Sequence, residues 1–316
     1  MNEQRFSRRK MLSGLGVTAG MALLPGQLIS QALVSSPPPP SSFSFCLNTS
    51  TIMGQKVGLV REIEIAAEAG YDGIEIWIRS LREYVAAGGS LVDLKRRIDD
   101  LGIRVEDSIG FAQWIVDDHD VRMRALEQAK EEMDLLAQIG CRRIAAPPAG
   151  ATAYGGLDLD KAAERFRALV ELGKSMEVLP QLEIWGFSKN LHKLSQVLYV
   201  AAECGHPDTR ILPDVYHLYK GGSDFDGLKL LSGQTVEIFH MNDYPDKPGR
   251  EEIQDKDRVY PGLGVGPVTE VLRDLKAAGG PTVLSLELFN RDYWAEDALS
   301  VAKRGLQSMK EAVAKV

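Results

Sequence analysis

The chain has 316 residues, of which 44% are hydrophobic and 26% are charged, and its formal net charge is −7. This balance is typical of a folded globular protein and excludes a disordered or fibrous chain. The acidic charge also argues against a nucleic-acid-binding protein, because such domains are usually strongly basic. The three cysteines lack metal-motif spacing, so they predict neither a cysteine zinc site nor a disulfide framework, although one disulfide stays open.

The first predicted element is a targeting segment. Arg8 and Arg9 stand directly before a short, weakly apolar run that contains Gly and Pro. This order is typical of a signal sequence, and the paired arginines indicate the twin-arginine route. A membrane helix would need about 20 apolar residues. We therefore expect a signal peptide over residues 1–35, a proline-rich linker over 36–42, a periplasmic or secreted location, and no stable membrane insertion after signal cleavage.

From residue 43 onward, short apolar runs alternate with longer amphipathic stretches. The predicted strands are FSFCLN, GIEIWI, RVEDSIGF, RRIAAPP, LPQLEIWG, RILPDVY, TVEIFHMND and TVLSLELFN. A helical pattern follows each strand, weakest after the sixth, and several of these patterns end at a glycine. Eight such units predict an α/β fold, a (β/α)8 TIM barrel over residues 43–316. A doubly wound open sheet is the alternative, but no G-x-G-x-x-G follows the first strand.

Ionisable residues stand where strands five to eight end, and in a barrel these ends meet at one mouth. They are Glu183 in QLEIWG, Asp214 in LPDVY, His240 in IFHMND and Glu287 in LSLELFN. Any one of them alone could face solvent. Burial of a lone charge on a covered strand is costly unless it is paired or bound to a metal. Three carboxylates and one imidazole favour Mn²⁺, with Mg²⁺ or Co²⁺ also suitable, whereas Zn²⁺ usually prefers more His or Cys.

These residues resemble the sugar phosphate isomerase/epimerase superfamily, the xylose-isomerase-like TIM barrels that include ketose 3-epimerases, hydroxypyruvate isomerase and inosose dehydratase. The resemblance covers residues 43–315 and includes D-x-x-H after strand six and DRVYPGLG after strand seven. It implies a metal bound by Glu183, Asp214, His240 and Glu287, with Zn²⁺ as a further possible ion. It also implies that the two glutamates act as general acid and base, and that His217 and Arg258 bind substrate oxygens.

The implied reaction removes a proton next to the carbonyl of a free sugar or keto-sugar, through a metal-stabilised enediolate. Return of the proton to the opposite face is epimerisation, and return to the next carbon is isomerisation. Loss of hydroxide would instead make the enzyme a lyase or dehydratase of a keto-sugar, keto-glycoside or inosose. The sequence departs from the epimerases in the charged segment 245–257 and in Lys189 and Asn190, which replace a second glutamate.

Three further residues are candidates for substrate binding: Trp185, Lys220 and Glu75. Their structural alternatives are barrel packing for Trp185, a turn cap for Lys220 and an outward strand face for Glu75. The expected partner is a small carbohydrate, and a homo-oligomer is compatible with the sequence. A non-catalytic periplasmic sugar-binding or accessory protein is the alternative of another class. A DNA-repair endonuclease of the related barrel group is disfavoured, because strands one to three end without histidine.

Overall fold

A computed structural model describes residues 43–316. The predicted signal peptide and linker, residues 1–42, lie outside the described residues. The strands are β1 (Phe43–Asn48), β2 (Gly73–Trp77), β3 (Arg104–Ile109), β4 (Arg143–Ala146), β5 (Leu179–Glu183), β6 (Arg210–Leu212), β7 (Ile238–Met241) and β8 (Thr282–Leu286). The helices are α1 (Leu59–Ala69), α2 (Ile78–Ala86), α3 (Leu91–Asp100), α4 (His119–Gln138), α5 (Leu159–Met176), α6 (Leu194–Cys204), α7 (Val215–Gly221), α8 (Val268–Ala278), α9 (Arg291–Trp294) and α10 (Ala298–Val313).

The strands form one parallel barrel with helices on its outside. One ladder runs β3-β2-β1-β8-β7 and a second runs β4-β5-β6, and every pair is parallel. The gap between β6 and β7 is bridged because the backbone N–H of His240 donates to the carbonyl of Pro213 at 2.9 Å. On the other side, the Arg143 side chain of β4 donates to the carbonyl of Glu106 on β3 at 3.1 Å. The predicted TIM barrel is confirmed.

Most of the core lies between the strands and the helices. In α10, for example, Val301, Leu306 and Met309 are buried at helical spacing against the barrel. Complete burial of such a side chain stabilises the fold by about 1.5–3 kcal/mol. Among the described helices, none is long and apolar enough to cross a membrane.

A second, smaller core fills the inside of the barrel. It consists of buried side chains from six strands: Cys46, Ile109, Ala145, Leu212, Ile238 and Val283. At the amino-terminal end, Arg143 and Arg210 both bind Glu237, at 2.7 and 2.6 Å. These apolar side chains and this ion-pair cluster fill the amino-terminal part of the barrel, and the cavity described below lies at the carboxyl-terminal mouth.

Two local differences from the predicted elements affect the site. The stretch after β2 forms an additional helix, α2, before the predicted α3. After β6, helix α7 begins at once, and the weak helical pattern at Phe225–Leu230 forms a 3-10 helix instead. The cause of the early start is Asp214, whose side chain accepts the backbone N–H of His217 and caps α7.

Candidate metal and substrate site

The four predicted metal ligands lie at the carboxyl-terminal mouth of the barrel. Glu183 is the last residue of β5, Asp214 is the N-cap of α7, His240 lies in β7, and Glu287 directly follows β8. All four residues are buried, each with at most 3% of its surface exposed. Parallel strands bring their carboxyl ends to the same edge, so residues far apart in the chain become neighbours here.

Asp214, His240 and Glu287 form the tightest group. One possible ligand atom from each lies within 4.8 Å of the other two. Nδ1 of His240 lies 3.3 Å from Oε2 of Glu287 and 3.8 Å from Oδ2 of Asp214. This Nδ1 is buried and makes no hydrogen bond within the described residues. Glu183 lies outside the 4.8 Å group but lines the same cavity as Glu287, and its Oε2 is also buried without a hydrogen bond.

Glu75 on β2 lies behind His240 and outside the cavity lining. Its Oε1 is 2.9 Å from Nε2 of His240, and its Oε2 accepts hydrogen bonds from Ser285 and Asn48. Because a carboxylate can only accept, this pair places a proton on Nε2 and leaves Nδ1 as the atom that faces Asp214. Glu75 thus orients the imidazole, and its buried position does not match the expected contact with substrate.

Asn48, at the end of β1, is a site residue that the sequence analysis does not identify. Its Nδ2 donates to Glu75 at 2.9 Å and to Glu287 at 3.3 Å. Its Oδ1 accepts a hydrogen bond from the indole N–H of Trp77 at 3.3 Å. Asn48 therefore connects the cavity wall with two of the buried carboxylates. Its position at a strand end was the available signal, but one amide alone does not indicate a chemical role.

Asp214 is held in a fixed orientation by its neighbours. Its Oδ1 accepts the backbone N–H of His217 at 2.7 Å, and its Oδ2 accepts the side-chain amide of Asn242 at 2.8 Å. Asn242 is itself fixed because its Oδ1 accepts the backbone N–H of Tyr216 at 2.9 Å. The D-x-x-H spacing therefore has a local cause: the aspartate caps the helix that presents the histidine.

Arg258 is a buried cation between carboxylates. Its Nη1 lies 2.7 Å from Glu287 and 3.1 Å from Asp214, and its Nη2 lies 2.5 Å from Asp255. Its guanidinium also lies over the ring of Tyr216, 4.3 Å from the ring centre. Burial would lower the pKa of Arg258, but these carboxylates raise it above its ordinary value. Arg258 lines the cavity, so its position permits the substrate contact that the resemblance implies.

His217 presents its ring to the same cavity. Its Nδ1 accepts the backbone N–H of Gly186 at 3.2 Å, and its Nε2 lies 3.1 Å from Nη2 of Arg258. Burial lowers the pKa of His217 to about 3, so the ring is neutral near pH 7. Both ring nitrogens thus face donors, the backbone N–H of Gly186 and the guanidinium of Arg258, and a neutral ring accepts through only one of them.

The pKa values of Glu183 and Glu287 shift in opposite directions although both side chains are buried. Burial raises the pKa of Glu183 to about 8, the charge of Glu287 adds to the rise, and His240 opposes it. Burial also acts to raise the pKa of Glu287, but His240 and Arg258 outweigh it and lower this pKa below its ordinary value. Burial therefore favours a proton on Glu183, whereas a divalent cation bound beside it would favour the ionised form that a metal ligand needs.

Lys220 does not line the cavity in this structure. Its Nζ donates to the carbonyls of Arg250 and Glu251 at 3.1 and 2.8 Å. The hydroxyl of Tyr216 likewise donates to the carbonyl of Ile253 at 3.3 Å. Both residues fix the charged segment 245–257 beside the mouth, where Asp255 reaches Arg258. The expected role of Lys220 in substrate binding does not match this position.

The glycine-rich turn PGLGVG has a specific partner. The backbone N–H groups of Gly262, Gly264 and Gly266 all donate to the carboxylate of Asp243, at 2.8–3.0 Å. A Cβ atom on Gly264 would lie only 2.4 Å from Oδ1 of Asp243. The turn therefore closes on the end of β7 through an internal carboxylate.

The cavity at the mouth has a volume of about 210 Å³. Its lining residues are Trp77, Ile109, Phe111, Glu183, Trp185, Phe187, His217, Asp255, Arg258, Glu287 and Phe289. Trp185 lies in the cavity wall, a position that permits the predicted contact with substrate. Phe111, Phe187 and Phe289 were not predicted from the sequence, although Phe187 and Phe289 follow Glu183 and Glu287 by a few residues.

Comparisons with known proteins agree with this architecture. An inosose isomerase from Bacillus velezensis is 26% identical over 281 residues, which are 84% of this chain and 99% of the relative. A 3-dehydroshikimate dehydratase from Pseudomonas aeruginosa is 28% identical over 258 residues, 79% of this chain but only 39% of that longer protein. A solved structure of IOLI protein with a bound zinc atom superposes with a TM-score of 0.78 at 23% identity, over 86% of this chain and 98% of that one.

The family model described as xylose isomerase-like TIM barrel matches residues 63–312. This range spans α1 to α10 and includes Glu183, Asp214, His240 and Glu287. The superfamily resemblance stated from the strand-end residues is therefore confirmed, and the chain belongs to the xylose isomerase-like TIM barrel family.

Proposed function

We propose that the protein is a metal-dependent sugar isomerase or epimerase that moves a proton on a carbon next to a carbonyl. The observation that carries this proposal is the pair of buried carboxyls, Glu183 and Glu287, in one cavity beside the group of Asp214 and His240. The relatives support an isomerase or a dehydratase that acts on a sugar-like molecule, since one is an inosose isomerase and another a 3-dehydroshikimate dehydratase.

The residues fit a divalent cation. Asp214, His240 and Glu287 offer hard and borderline ligand atoms within 4.8 Å of one another, and Nδ1 of His240 is buried without a hydrogen bond. Glu183, whose Oε2 also lacks a hydrogen bond, would complete the set. Three carboxylates and one imidazole suit Mn²⁺, Mg²⁺ or Co²⁺. Zn²⁺ is supported by the zinc atom of the structurally similar IOLI protein. When bound, the ion would supply a Lewis acid for the substrate oxygens.

The protein side chains would then carry the proton. One of the two glutamates takes it from the carbon next to the carbonyl, and the other delivers it. His217 and Arg258 would contact a substrate oxygen, which fixes the sugar between the carboxyls. General acid and base assistance of this kind contributes typically 10²- to 10⁴-fold. The amino-terminal part of the barrel is filled with side chains, so the carboxyls act in a buried environment.

Dehydration is the second candidate, because the same first proton removal can be followed by loss of hydroxide. The similarity to a 3-dehydroshikimate dehydratase favours it. The matched part of that relative is 39% of its length, so the similarity concerns only this part of the dehydratase.

The test is solvent deuterium exchange into keto-sugars and inososes, followed by NMR with Mn²⁺ or Co²⁺ added. Glu183→Gln and Glu287→Gln should each lower the exchange rate by at least about 10²-fold. Arg142→Gln, which removes an exposed ion pair with Glu177, is the matched control and should exchange at the normal rate. Normal exchange in both glutamate variants would refute the assignment. Loss of hydroxide, seen as an unsaturated product, would favour the dehydratase.

A further inference from the structure

Five aromatic side chains form one wall around the cavity mouth. They are Trp77, Phe111, Trp185, Phe187 and Phe289, and with His217 and Arg258 we call them the collar. Ring centres lie 5.2 Å apart for Trp77 and Phe111, 6.1 Å for Phe111 and Trp185, and 5.1 Å for Trp185 and Phe187. These are the separations of aromatic side chains in direct contact.

The collar closes on itself. Phe187 lies 5.7 Å from the ring of His217, whose Nε2 is 3.1 Å from Arg258. The guanidinium of Arg258 lies 5.1 Å from the ring of Phe289, and Phe289 lies 6.1 Å from Trp77. A molecule that reaches Glu183 or Glu287 must therefore pass through a complete ring of side chains, most of which are aromatic.

The charge of this mouth is unsuited to an anionic substrate. Arg258 is the only lysine or arginine among the described residues that line the cavity, and it already meets Asp214, Asp255 and Glu287. Glu183 adds a further carboxyl to the lining. A divalent cation would serve to balance these acids and would leave no unpaired lysine or arginine for a phosphate or carboxylate of the substrate.

The collar also extends beyond the cavity. Phe187 is 44% exposed, whereas Phe111, Trp185 and Phe289 are partly buried. The volume of about 210 Å³ is below the 300–1,000 Å³ that is usual for drug-sized ligands, so one small ring fills it. An exposed aromatic ring that continues an apolar wall indicates a surface for binding.

We propose that the substrate is an uncharged keto-glycoside whose aglycone is apolar, with an aryl group as the best fit. Its sugar ring enters the cavity, where the apolar C–H faces pack on Trp77, Phe111 and Trp185. Its aglycone lies outward against Phe187. This inference rests on the proposed function, because it places the reacting carbons at the two glutamates.

The test measures binding without turnover, by isothermal titration of the purified protein loaded with Mn²⁺. The probes are phenyl glucoside, methyl glucoside and glucose 6-phosphate. Phenyl glucoside should bind roughly tenfold more tightly than methyl glucoside, since one or two aromatic contacts supply such a factor. Glucose 6-phosphate should bind more weakly than methyl glucoside. Equal binding of the two glucosides, or tighter binding of the phosphate, would overturn the proposal.

Phe187→Ala should remove most of the phenyl preference, because it should weaken the binding of phenyl glucoside more than that of methyl glucoside. Tyr199→Ala is the matched control, since Tyr199 is 42% exposed on α6 and lies outside the collar. An unchanged preference in the Phe187 variant would also refute the proposal. A phenyl preference without deuterium exchange would refute the proposed function alone, and exchange without the preference would refute this inference alone.

Discussion

The two halves of the barrel contribute different parts of the site. Strands β5 to β8 end in the groups that can exchange protons or bind a metal, including Glu183, Asp214 and His240. Strands β1 and β2 end in Asn48 and Trp77, and Glu75 lies two residues before the end of β2. The first half thus carries supporting side chains and part of the cavity wall, whereas the second half carries the proposed chemistry and the rest of the wall.

The contact that joins the halves explains this difference. Glu75 from the first half orients His240 from the second, and Asn48 bonds both Glu75 and Glu287. A carboxylate behind a ligating imidazole is a usual partner in metal sites. A buried acid such as Glu75 can therefore belong to the site without lining the cavity, and three variants test this difference between the halves.

The largest loss of metal affinity is expected when a residue of the second half of the barrel is changed. Asp214→Asn keeps a good helix cap for α7 but removes a charge from the group with His240 and Glu287. We expect metal affinity to fall more than about 100-fold. Mutation of a residue that only supports a metal ligand already lowers metal affinity about 10- to 100-fold. Competition with a chelating dye measures this affinity. Asp208→Asn, a change in a surface ion pair with Lys174, should bind metal normally. Equal affinity of both variants would remove Asp214 from the ligand set.

A smaller loss of metal affinity is expected when a residue of the first half of the barrel is changed. Glu75→Gln weakens the 2.9 Å contact with His240 and should lower metal affinity about 10- to 100-fold. NMR of the labelled imidazole should also show a changed proton distribution between Nδ1 and Nε2. Glu106→Gln on the neighbouring strand is the control, since Glu106 is similarly buried but binds Arg143 at the lower end. If Glu75→Gln left both metal affinity and the imidazole signal unchanged, Glu75 of the first half would have no influence on metal binding by His240 of the second half.

The smallest expected effect is on stability and concerns Glu62 on α1, a buried acid of the first half that does not line the cavity. Burial, aided by Glu83, raises its pKa to about 7 from 4.5. The folded state therefore holds this proton at a pH where the unfolded chain has lost it. The contribution to stability is present below about pH 4.5 and is lost as pH rises through about 7.

Glu62→Gln removes this titrating group. Between pH 5 and 8, the free energy of unfolding of the variant should therefore fall less than that of the unmodified protein. The difference has an upper bound of about 3 kcal/mol, measurable by urea unfolding at both values. Metal affinity should stay normal, which distinguishes this acid from Glu75. A pH dependence of stability identical to that of the unmodified protein would contradict the pKa of Glu62.

The alternation of apolar runs and helical patterns was enough to predict the barrel. Because parallel strands end at one edge, the four strand-end residues could also be predicted to converge. Helix α2 was not predicted as a separate element, because IRSLREYVA directly follows β2 and lies close before the stronger helical pattern of α3. The position of Lys220 was not predictable, because it depends on the carbonyls of a loop some 30 residues away.

The eightfold βα repeat and the identity of the acidic and imidazole groups could be predicted from the residues alone, since both follow from local pattern and chain order. The folded chain was needed to find that Glu75 lies behind His240, that Asn48 links two carboxylates, and that five aromatic rings close a collar with His217 and Arg258. Those contacts join residues from strands distant in the chain, and a side chain's neighbours across a barrel leave no periodic signal in the sequence.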